Sequence, residues 1–335
     1  MKQNNENISV IVCCYNSSPR LEKTLLHLAR QEDISPGCWE IILVDNNSTD
    51  DTADVAARLW RQMGHKAPLR IVSEPTIGLT HARAAGIRAA QYDIILFCDD
   101  DNWLHTDYLL QVVHIFQNQP TVGIAGPASM PAVYEIAKPL WLNGHENVLC
   151  VFDTGQKEIT VNQHSAKIVH IAGAGMAIRK TILENYLHDL ANNPHRLLLD
   201  RSPGRMLSGG DDDINLLALN EGHDLYLTHK LQLLHFIPSF KLTKEYILRL
   251  YEGMAYSMVL LNRFYGQEKE KAQGWNFMGM MKYMAINILK NSFNNRVLLR
   301  TIKGRQQAKA YLRTAAAQLP PPPSQHARPK PLPAL

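Results

Sequence analysis

The sequence contains few cysteines, and their spacing fits neither a zinc site nor a disulfide framework. Five cysteines occur in 335 residues, and no two of them form a Cys-x-x-Cys pair. Because several lie within apolar runs, we expect buried and reduced thiols, which favours a cytoplasmic protein. The five are Cys13, Cys14, Cys38, Cys98 and Cys150.

Long hydrophobic runs and a strong charge of one sign are also missing. Without a run of about 18 apolar residues, the sequence predicts no transmembrane helix. The polar start MKQNNENISV has no apolar core of the kind found in a signal peptide. The formal net charge of +4 does not favour a nucleic-acid partner, and none is expected. The 45% of hydrophobic residues is typical of a globular protein with a sizeable core.

Roughly the first hundred residues alternate between short apolar runs and helical patterns. Apolar runs rich in β-branched residues predict strands at 8–13, 40–44, 70–72 and 93–97. Helical spacing of apolar residues follows each of the first three runs. This alternation predicts an α/β fold, with a Rossmann-like, mostly parallel sheet flanked by helices.

The pattern changes after residue 240. A helix is predicted from Thr243 onward and a second one through residues 276–293, so a helical extension at 241–318 would follow an α/β domain at 1–240. Residues 319–335 are Pro-rich and predict a disordered tail. Basic residues flank apolar ones in the helical extension, which leaves a choice between a solvated helix face and a peripheral contact with the inner face of the plasma membrane. They are Lys282, Lys290, Arg296, Arg300, Lys303 and Arg305.

Three consecutive acids, Asp99, Asp100 and Asp101, follow the fourth predicted strand. Asn16 and Asp45 follow the first and second strands in the same way, so all five should lie at one edge of a parallel sheet, where ligands of such folds bind. A solvated acidic turn is the simpler alternative for the triplet. Clustered carboxylates become favourable when Mg²⁺ or Mn²⁺ lies between them, and such an ion completes its shell with substrate phosphates.

Five segments resemble the family-2 glycosyltransferases, which are nucleotide-sugar enzymes with the GT-A fold. They occur in the family's order within residues 8–240: ISVIVCCYN, EIILVDNNSTDDT, GLTHARAAGI, ILFCDDDNW and GGDDDINLLALNEGHDL. The resemblance implies an Asp-x-Asp motif at Asp99 and Asp101 that binds Mn²⁺ or Mg²⁺, with Asp100 also near the diphosphate. It further implies a UDP-sugar as donor and a nucleotide pocket made of Cys13, Tyr15, Asn16, Asp45, Asn46 and Arg83. Many family members carry Asp where this chain has Asn46.

A second acidic cluster, Asp211 to Asp213, follows Ser208-Gly209-Gly210 and opens a predicted helix. Acids in a first helical turn also complement the helix dipole, which is the alternative reason for their presence. The resemblance makes Asp211 the catalytic base and gives Asp213 a role at the acceptor or as the base itself. It also makes His235 a ligand of the metal or the diphosphate, whereas a lone histidine otherwise has a packing role.

These expectations combine into a metal-dependent, inverting glycosyltransferase. It would move one sugar from a nucleoside diphosphate sugar to a hydroxyl of a glycan, lipid-linked or other acceptor, in bacterial surface polysaccharide or glycoconjugate synthesis. One alternative is a sugar-phosphate nucleotidyltransferase, although such an enzyme should carry a Gly-rich, Arg-containing loop where this chain reads CCYNSSPR. The other alternative is a nucleotide-sugar-binding module without catalysis.

Overall fold

Strands and helices alternate along most of the chain in the computed structural model, which describes residues 7–64, 67–165, 169–266 and 293–320. The first elements are β1 (Ile8–Cys14), α1 (Leu21–Ala29), β2 (Trp39–Asp45), α2 (Thr52–Gln62), β3 (Leu69–Ser73), α3 (Leu79–Ala89) and β4 (Ile94–Phe97). They are followed by β5 (Asn102–Leu104), α4 (Tyr108–Asn118), β6 (Val122–Pro127), β7 (Ser129–Met130), β8 (Ala132–Tyr134), β9 (Phe152–Asp153) and β10 (Glu158–Val161). The last are β11 (Ala177–Arg179), α5 (Lys180–Asn192), α6 (Gly210–Asn220), β12 (Asp224–Thr228), β13 (Leu233–Ile237), α7 (Lys244–Phe264) and α8 (Phe293–Ala315).

Eight of the strands form one mixed sheet in the order β10-β12-β6-β11-β4-β1-β2-β3. The strands β3, β2, β1 and β4 pair in parallel, and β12 pairs in parallel with β6. Only β11 and β10 run against their neighbours. The predicted α/β fold with a mostly parallel sheet is therefore confirmed, and the carboxyl ends of β1, β2 and β4 lie side by side at one edge.

Two hydrophobic clusters, one on each face, hold the sheet between layers of helices. Successive residues of β1 point to opposite faces, as a strand requires. Val10 and Val12 join the cluster formed with α1, α2 and α4, whereas Ile11 joins the cluster formed with α3, α5 and α6. Burial on both faces explains why the central strands are continuous apolar runs rather than alternating ones.

The pattern of AKIVHIAGAGMAIRK, residues 166–180, predicts a strand followed by a glycine-rich turn, but no strand precedes that turn in the described part of this segment. Residues 169–172 have no regular structure, and only β11 follows the turn. Here the backbone turns toward the sheet edge to contact ligand-site side chains instead of pairing with a strand. Ile171 is buried and Val169 and Ala172 are half-buried, so the apolar pattern reflects packing against the core rather than a strand.

A second, three-stranded sheet in the order β5-β13-β8 lies beside the main sheet. His235 of β13 is paired with Asn102 of β5. Because Asn102 directly follows the acidic triplet, this pairing brings His235 next to Asp101. Two elements that are more than a hundred residues apart in sequence thus meet at the same edge.

The helix predicted from Thr243 is confirmed as α7, whose first turn is capped by the Thr243 hydroxyl accepting from the N–H of Tyr246 at 3.3 Å. Helices α7 and α8 pack together, and their apolar cluster includes Leu216 of α6 and Leu199. Packing therefore crosses the predicted boundary near residue 240. The second predicted helix, apart from Phe293, and the tail from residue 321 lie outside the described residues.

Basic residues of α8 form ion pairs with α7. Arg300 lies 2.8 Å from Glu252 and 2.7 Å from Glu245, and Lys303 lies 2.8 Å from Glu252. These two cations, which belong to the set that suggested a membrane contact, thus have partners within the protein. No helix in the described ranges is both long and apolar enough to cross a bilayer.

The close approach of α8 to α7 depends on Gly304. A Cβ atom at this position would lie 2.1 Å from the backbone oxygen of Glu252. That oxygen belongs to a helix and cannot rotate away, so we expect Gly304→Ala to reduce the free energy of unfolding by at least about 1 kcal/mol. Urea unfolding measures this change. Gly37→Ala is the control because a Cβ there meets nothing within 4 Å, and equal stability of both variants would contradict the packing described here.

Candidate active site

A cavity of about 620 Å³ opens at the carboxyl edge of the main sheet. Its size is in the range of pockets that bind small organic ligands. The ends of β1, β2 and β4, the first turns of α3 and α6, and the chain after β13 all contribute to its walls. Nine of the predicted site residues line it: Cys13, Tyr15, Asn46, Arg83, Asp99, Asp100, Asp101, Asp211 and His235.

The acids of the triplet diverge because the chain turns sharply between β4 and β5. The side-chain oxygen of Asn102 accepts from the N–H of Asp99 at 3.0 Å and fixes this turn. Asp100 forms an ion pair with Arg20 at 2.5 Å, whereas Asp101 lies 2.6 Å from the Nζ of Lys241. The repulsion between neighbouring carboxylates is thus relieved by separate cations.

The three carboxyl groups consequently differ in their acidity. Burial and the neighbouring Asp101 raise the pKa of Asp99 to about 6, and the same two causes raise the pKa of Asp100. Against the effect of burial, the Lys241 ammonium and the His235 imidazole hold the pKa of Asp101 well below its usual range. Asp101 therefore carries its charge at any physiological pH.

The metal site implied by the resemblance would need Asp99, Asp101 and His235 to face one point. Within the ranges that the structure describes, no three His, Cys, Asp or Glu side chains are arranged to hold an ion. One Asp101 oxygen contacts Lys241, and the other faces the Nε2 of His235 at 3.4 Å. Because His235 and Lys241 both point at this carboxylate, the donor set as arranged does not fit a divalent cation.

Asp211, the predicted base, is held by two contacts at the start of α6. One carboxylate oxygen accepts from the N–H of Gly173 at 2.8 Å, and the other lies 2.7 Å from the Nη1 of Arg83. The same Arg83 nitrogen donates to Asp200 at 3.1 Å. A Cβ at position 173 would lie 2.3 Å from Arg83 and 2.5 Å from Asp211, so this loop position requires glycine. The Asp211 side chain remains 31% exposed, and that exposed part faces the cavity.

Asp213 has a different environment from the one we predict. It is fully buried and does not line the cavity. Its carboxylate pairs with the Arg196 guanidinium and accepts from the Tyr265 hydroxyl at 2.8 Å. Residues two apart on a helix point about 200° away from each other, so Asp211 and Asp213 cannot face the same ligand. The structure thus places Asp213 away from the cavity in which an acceptor would lie, and its contacts join α6 to the end of α7.

The nucleotide-pocket residues divide into two groups. Tyr15 is 47% exposed and lies on the cavity wall. Burial raises the pKa of Cys13 to about 12, so this thiol is not reactive. Asn16 and Asp45 do not line the cavity. They accept from the backbone N–H groups of Thr49 and Ser48, respectively, and so fix the loop after β2.

The hydrogen bonds of Asn46 explain why this position needs an amide rather than a carboxylate. Its Nδ2 donates to the carbonyls of Glu74 at 3.0 Å and Thr76 at 2.7 Å, while its Oδ1 accepts from the N–H of Gly78 at 2.8 Å. An aspartate could not donate the first two bonds. Asn46 thus holds the loop before α3 against the sheet edge.

Sequence reasoning missed four charged residues of the cavity: Arg20, Asp200, Arg201 and Lys241. Only Arg20 has a local signal, because it follows β1 closely in the segment SSPR. The others lie on loops whose positions depend on the packing of α6, α7 and β13. They are far from the acidic triplet along the chain, so no local sequence pattern predicts that they contact it.

Comparison with known proteins agrees with this geometry. The family model described as "Glycosyl transferase family 2" matches residues 9–187, which is more than half of the chain. The chain belongs to glycosyltransferase family 2.

An uncharacterized glycosyltransferase of Nostoc sp. is 31% identical over 119 residues, 35% of this chain and 35% of that protein. The beta-monoglucosyldiacylglycerol synthase of Nostoc sp. is 24% identical over 178 residues, 53% of this chain and 36% of that protein. The chain thus matches about a third of the length of these curated relatives.

Solved structures that are similar to this chain have the GT-A fold. TarS of S. aureus, crystallised with UDP, is 15% identical with a TM-score of 0.51, and the match covers 92% of each chain. The mannosyltransferase PcManGT of Pyrobaculum calidifontis, in complex with GDP-Man and Mn²⁺, is 18% identical with a TM-score of 0.56. That match covers 96% of this chain and 77% of the mannosyltransferase. The part of this family-2 glycosyltransferase that the structure describes therefore has the predicted GT-A fold.

Asp99 should give this glycosyltransferase a pH-dependent stability. Because folding raises its pKa to about 6, the folded protein retains a proton that the unfolded chain loses above about pH 4. The contribution of Asp99 to stability should therefore decrease as the pH rises from about 4 to about 6, and stay constant above. The free energy of unfolding of Asp99→Asn, measured with urea across the same pH range, should not show this decrease. Asp51→Asn, at an exposed position, is the control, and parallel profiles of wild type and Asp99→Asn would contradict the assignment.

Proposed function

We propose that this enzyme transfers one sugar, with inversion, from a nucleoside diphosphate sugar to an acceptor hydroxyl. The observation that carries this proposal is the position of Asp211, whose carboxylate lies in the same cavity as the cations at the sheet edge. A base and a diphosphate-binding surface within one cavity are what direct displacement at an anomeric carbon needs. The UDP and GDP-Man complexes of the structural neighbours support a nucleotide donor.

In this mechanism the acceptor hydroxyl attacks the anomeric carbon from the face opposite the diphosphate. The new glycosidic C–O bond forms as the bond to the diphosphate oxygen breaks, and that oxygen keeps the electron pair. Asp211 accepts the hydroxyl proton. Because a carboxylate is a weak base for an alcohol, the proton must move together with the attack. Arg83 orients the Asp211 carboxylate, since its guanidinium contacts both Asp211 and Asp200.

A requirement for a metal ion has weaker support than the use of a nucleotide-sugar donor. A Mn²⁺ or Mg²⁺ ion at the acidic triplet would supply electrostatic stabilisation of the leaving diphosphate, and the mannosyltransferase neighbour contains Mn²⁺. The carboxylate of Asp101, however, is already engaged by Lys241 and His235. No step of the proposed mechanism therefore depends on a divalent cation.

A UDP-sugar is the proposed donor, and the acceptor is a hydroxyl of a glycan or lipid-linked molecule in bacterial surface polysaccharide or glycoconjugate synthesis. Family membership disfavours the nucleotidyltransferase and the non-catalytic module as alternatives. Thermal stabilisation by a set of UDP-, GDP- and other nucleotide sugars would identify the donor. A ligand present at about 100 times its Kd adds roughly 2.7 kcal/mol to the folded state, which is easily measured.

The base is tested by Asp211→Asn, which keeps the shape of the side chain and removes its basicity. We expect near-normal nucleotide-sugar binding and transfer slowed at least about a hundredfold, because general-base assistance contributes about 10²–10⁴-fold. The matched control is Asp212→Asn, since Asp212 is the adjacent acid but pairs with His170 at 2.6 Å outside the cavity. Full turnover by Asp211→Asn would exclude this mechanism.

A further inference from the structure

Lys241 places an ammonium group on the cavity wall where the family resemblance calls for a metal ion. Its Nζ lies 2.6 Å from Asp101, its side chain is 13% exposed, and it lines the cavity. The short 3₁₀ turn Ser239–Lys241 after β13 carries it, and its own N–H donates to the carbonyl of Pro238 at 3.0 Å. Lys241 is therefore held by its backbone as well as by its ion pair.

The charge of Asp101 is already balanced by this arrangement. To bind Asp101, a divalent cation would have to displace the Lys241 ammonium and leave it nearly buried beside a second positive charge, which is costly. Asp100 is balanced in the same way by Arg20, which also lines the cavity. The triplet thus presents two pairs of opposite charge to an incoming ligand.

An ammonium group is well suited to remain on Asp101 and bind phosphate at the same time. It carries three donors and no acceptor, and one donor is enough for the Asp101 carboxylate. The other two can reach anionic oxygens in the cavity. Lysine acts toward phosphate as a compact point charge, which is the role that a metal ion has at a diphosphate.

We propose that Lys241 is the resident cation of the diphosphate subsite, and that this enzyme binds nucleoside diphosphates without Mn²⁺ or Mg²⁺. In the complex, the ammonium stays on Asp101 and donates to a phosphate oxygen, and Arg20 on Asp100 adds a second positive charge. The inference rests on the proposed function in one respect, because it takes a nucleoside diphosphate as the ligand. In this proposal, Lys241 takes the role of the metal ion that the acidic triplet suggests.

Calorimetric titration of UDP and GDP into the full chain tests the proposal, once with EDTA and once with Mn²⁺. We expect wild type to bind one of the two nucleotides with EDTA present, with little gain from Mn²⁺. Lys241→Gln should lose affinity in EDTA by at least about tenfold, equivalent to about 1.4 kcal/mol. Lys241→Arg retains the charge and should lose less. The control is Lys244→Gln, since Lys244 is exposed on the next turn and does not line the cavity.

A second titration, with Mn²⁺ alone, gives an independent readout. We expect no saturable binding to wild type and measurable binding to Lys241→Gln, because the substitution frees Asp101 for a metal. Binding of nucleotide to wild type only with Mn²⁺, or undiminished binding to Lys241→Gln in EDTA, would overturn the inference and leave the proposed function intact. Failure to bind either nucleotide under both conditions would instead count against the proposed function. The wild-type titrations need no variant, so the inference stays falsifiable even if Lys241→Gln does not fold.

Discussion

The buried guanidinium of Arg83 joins the parts of the chain that make the active site. Arg83 belongs to α3, and its contacts with Asp200 and Asp211 fix the loop before α6 and the start of α6 itself. A buried cation needs a counter-charge, since an unpaired charge in such a place costs several kcal/mol, and Arg83 has two acids that supply it. The requirement for glycine at position 173 follows from the same contact, because any side chain there would separate the guanidinium from Asp211. The position of the Asp211 carboxylate is therefore set by a charge network rather than by its own helix alone.

Other acids of the two acidic clusters are also paired with buried or half-buried cations, and these pairs explain their separate roles. Asp100 pairs with Arg20, Asp101 with Lys241, and Asp213 with Arg196. An acid fully neutralised in the interior serves the fold, as Asp213 does, whereas an acid whose cation also faces the cavity can present that cation to a ligand. An acidic sequence can thereby produce a site that binds anions. The carboxylates of the sequence, taken without their partner cations, suggest instead a site that binds a metal ion.

Local patterns predict the sheet and its ligand edge because they depend on short-range rules. Apolar runs mark β1, β2 and β4, and parallel pairing then places Asp45 and Asp99 at the ends of the two strands that flank β1. The partners of these acids are not predictable in this way, since Lys241 and Asp200 arrive on loops positioned by long-range packing. The different surroundings of Asp211 and Asp213 follow from helical geometry, which separates the first and third acids of this cluster by about 200°. No strand precedes the glycine-rich turn in the described part of 166–180, because an apolar pattern alone does not decide between a strand and a buried loop.

The C-terminal helices belong to the active-site framework. The Ser257 hydroxyl of α7 donates to the carbonyl of Leu199 at 3.2 Å, and the same carbonyl accepts from the N–H of Gly209 at 2.8 Å. This clamp closes the loop between them, which carries Asp200 and leads directly into α6. Gly253 of α7 packs against the backbone of the same loop, where a Cβ would lie 1.8 Å from the carbonyl oxygen of Met206. Because α7 is in turn packed against α8, a displacement of the helical pair would reach Asp200 and Asp211 through backbone contacts. Helices α7 and α8 therefore act on the position of the Asp211 carboxylate through the backbone of this loop.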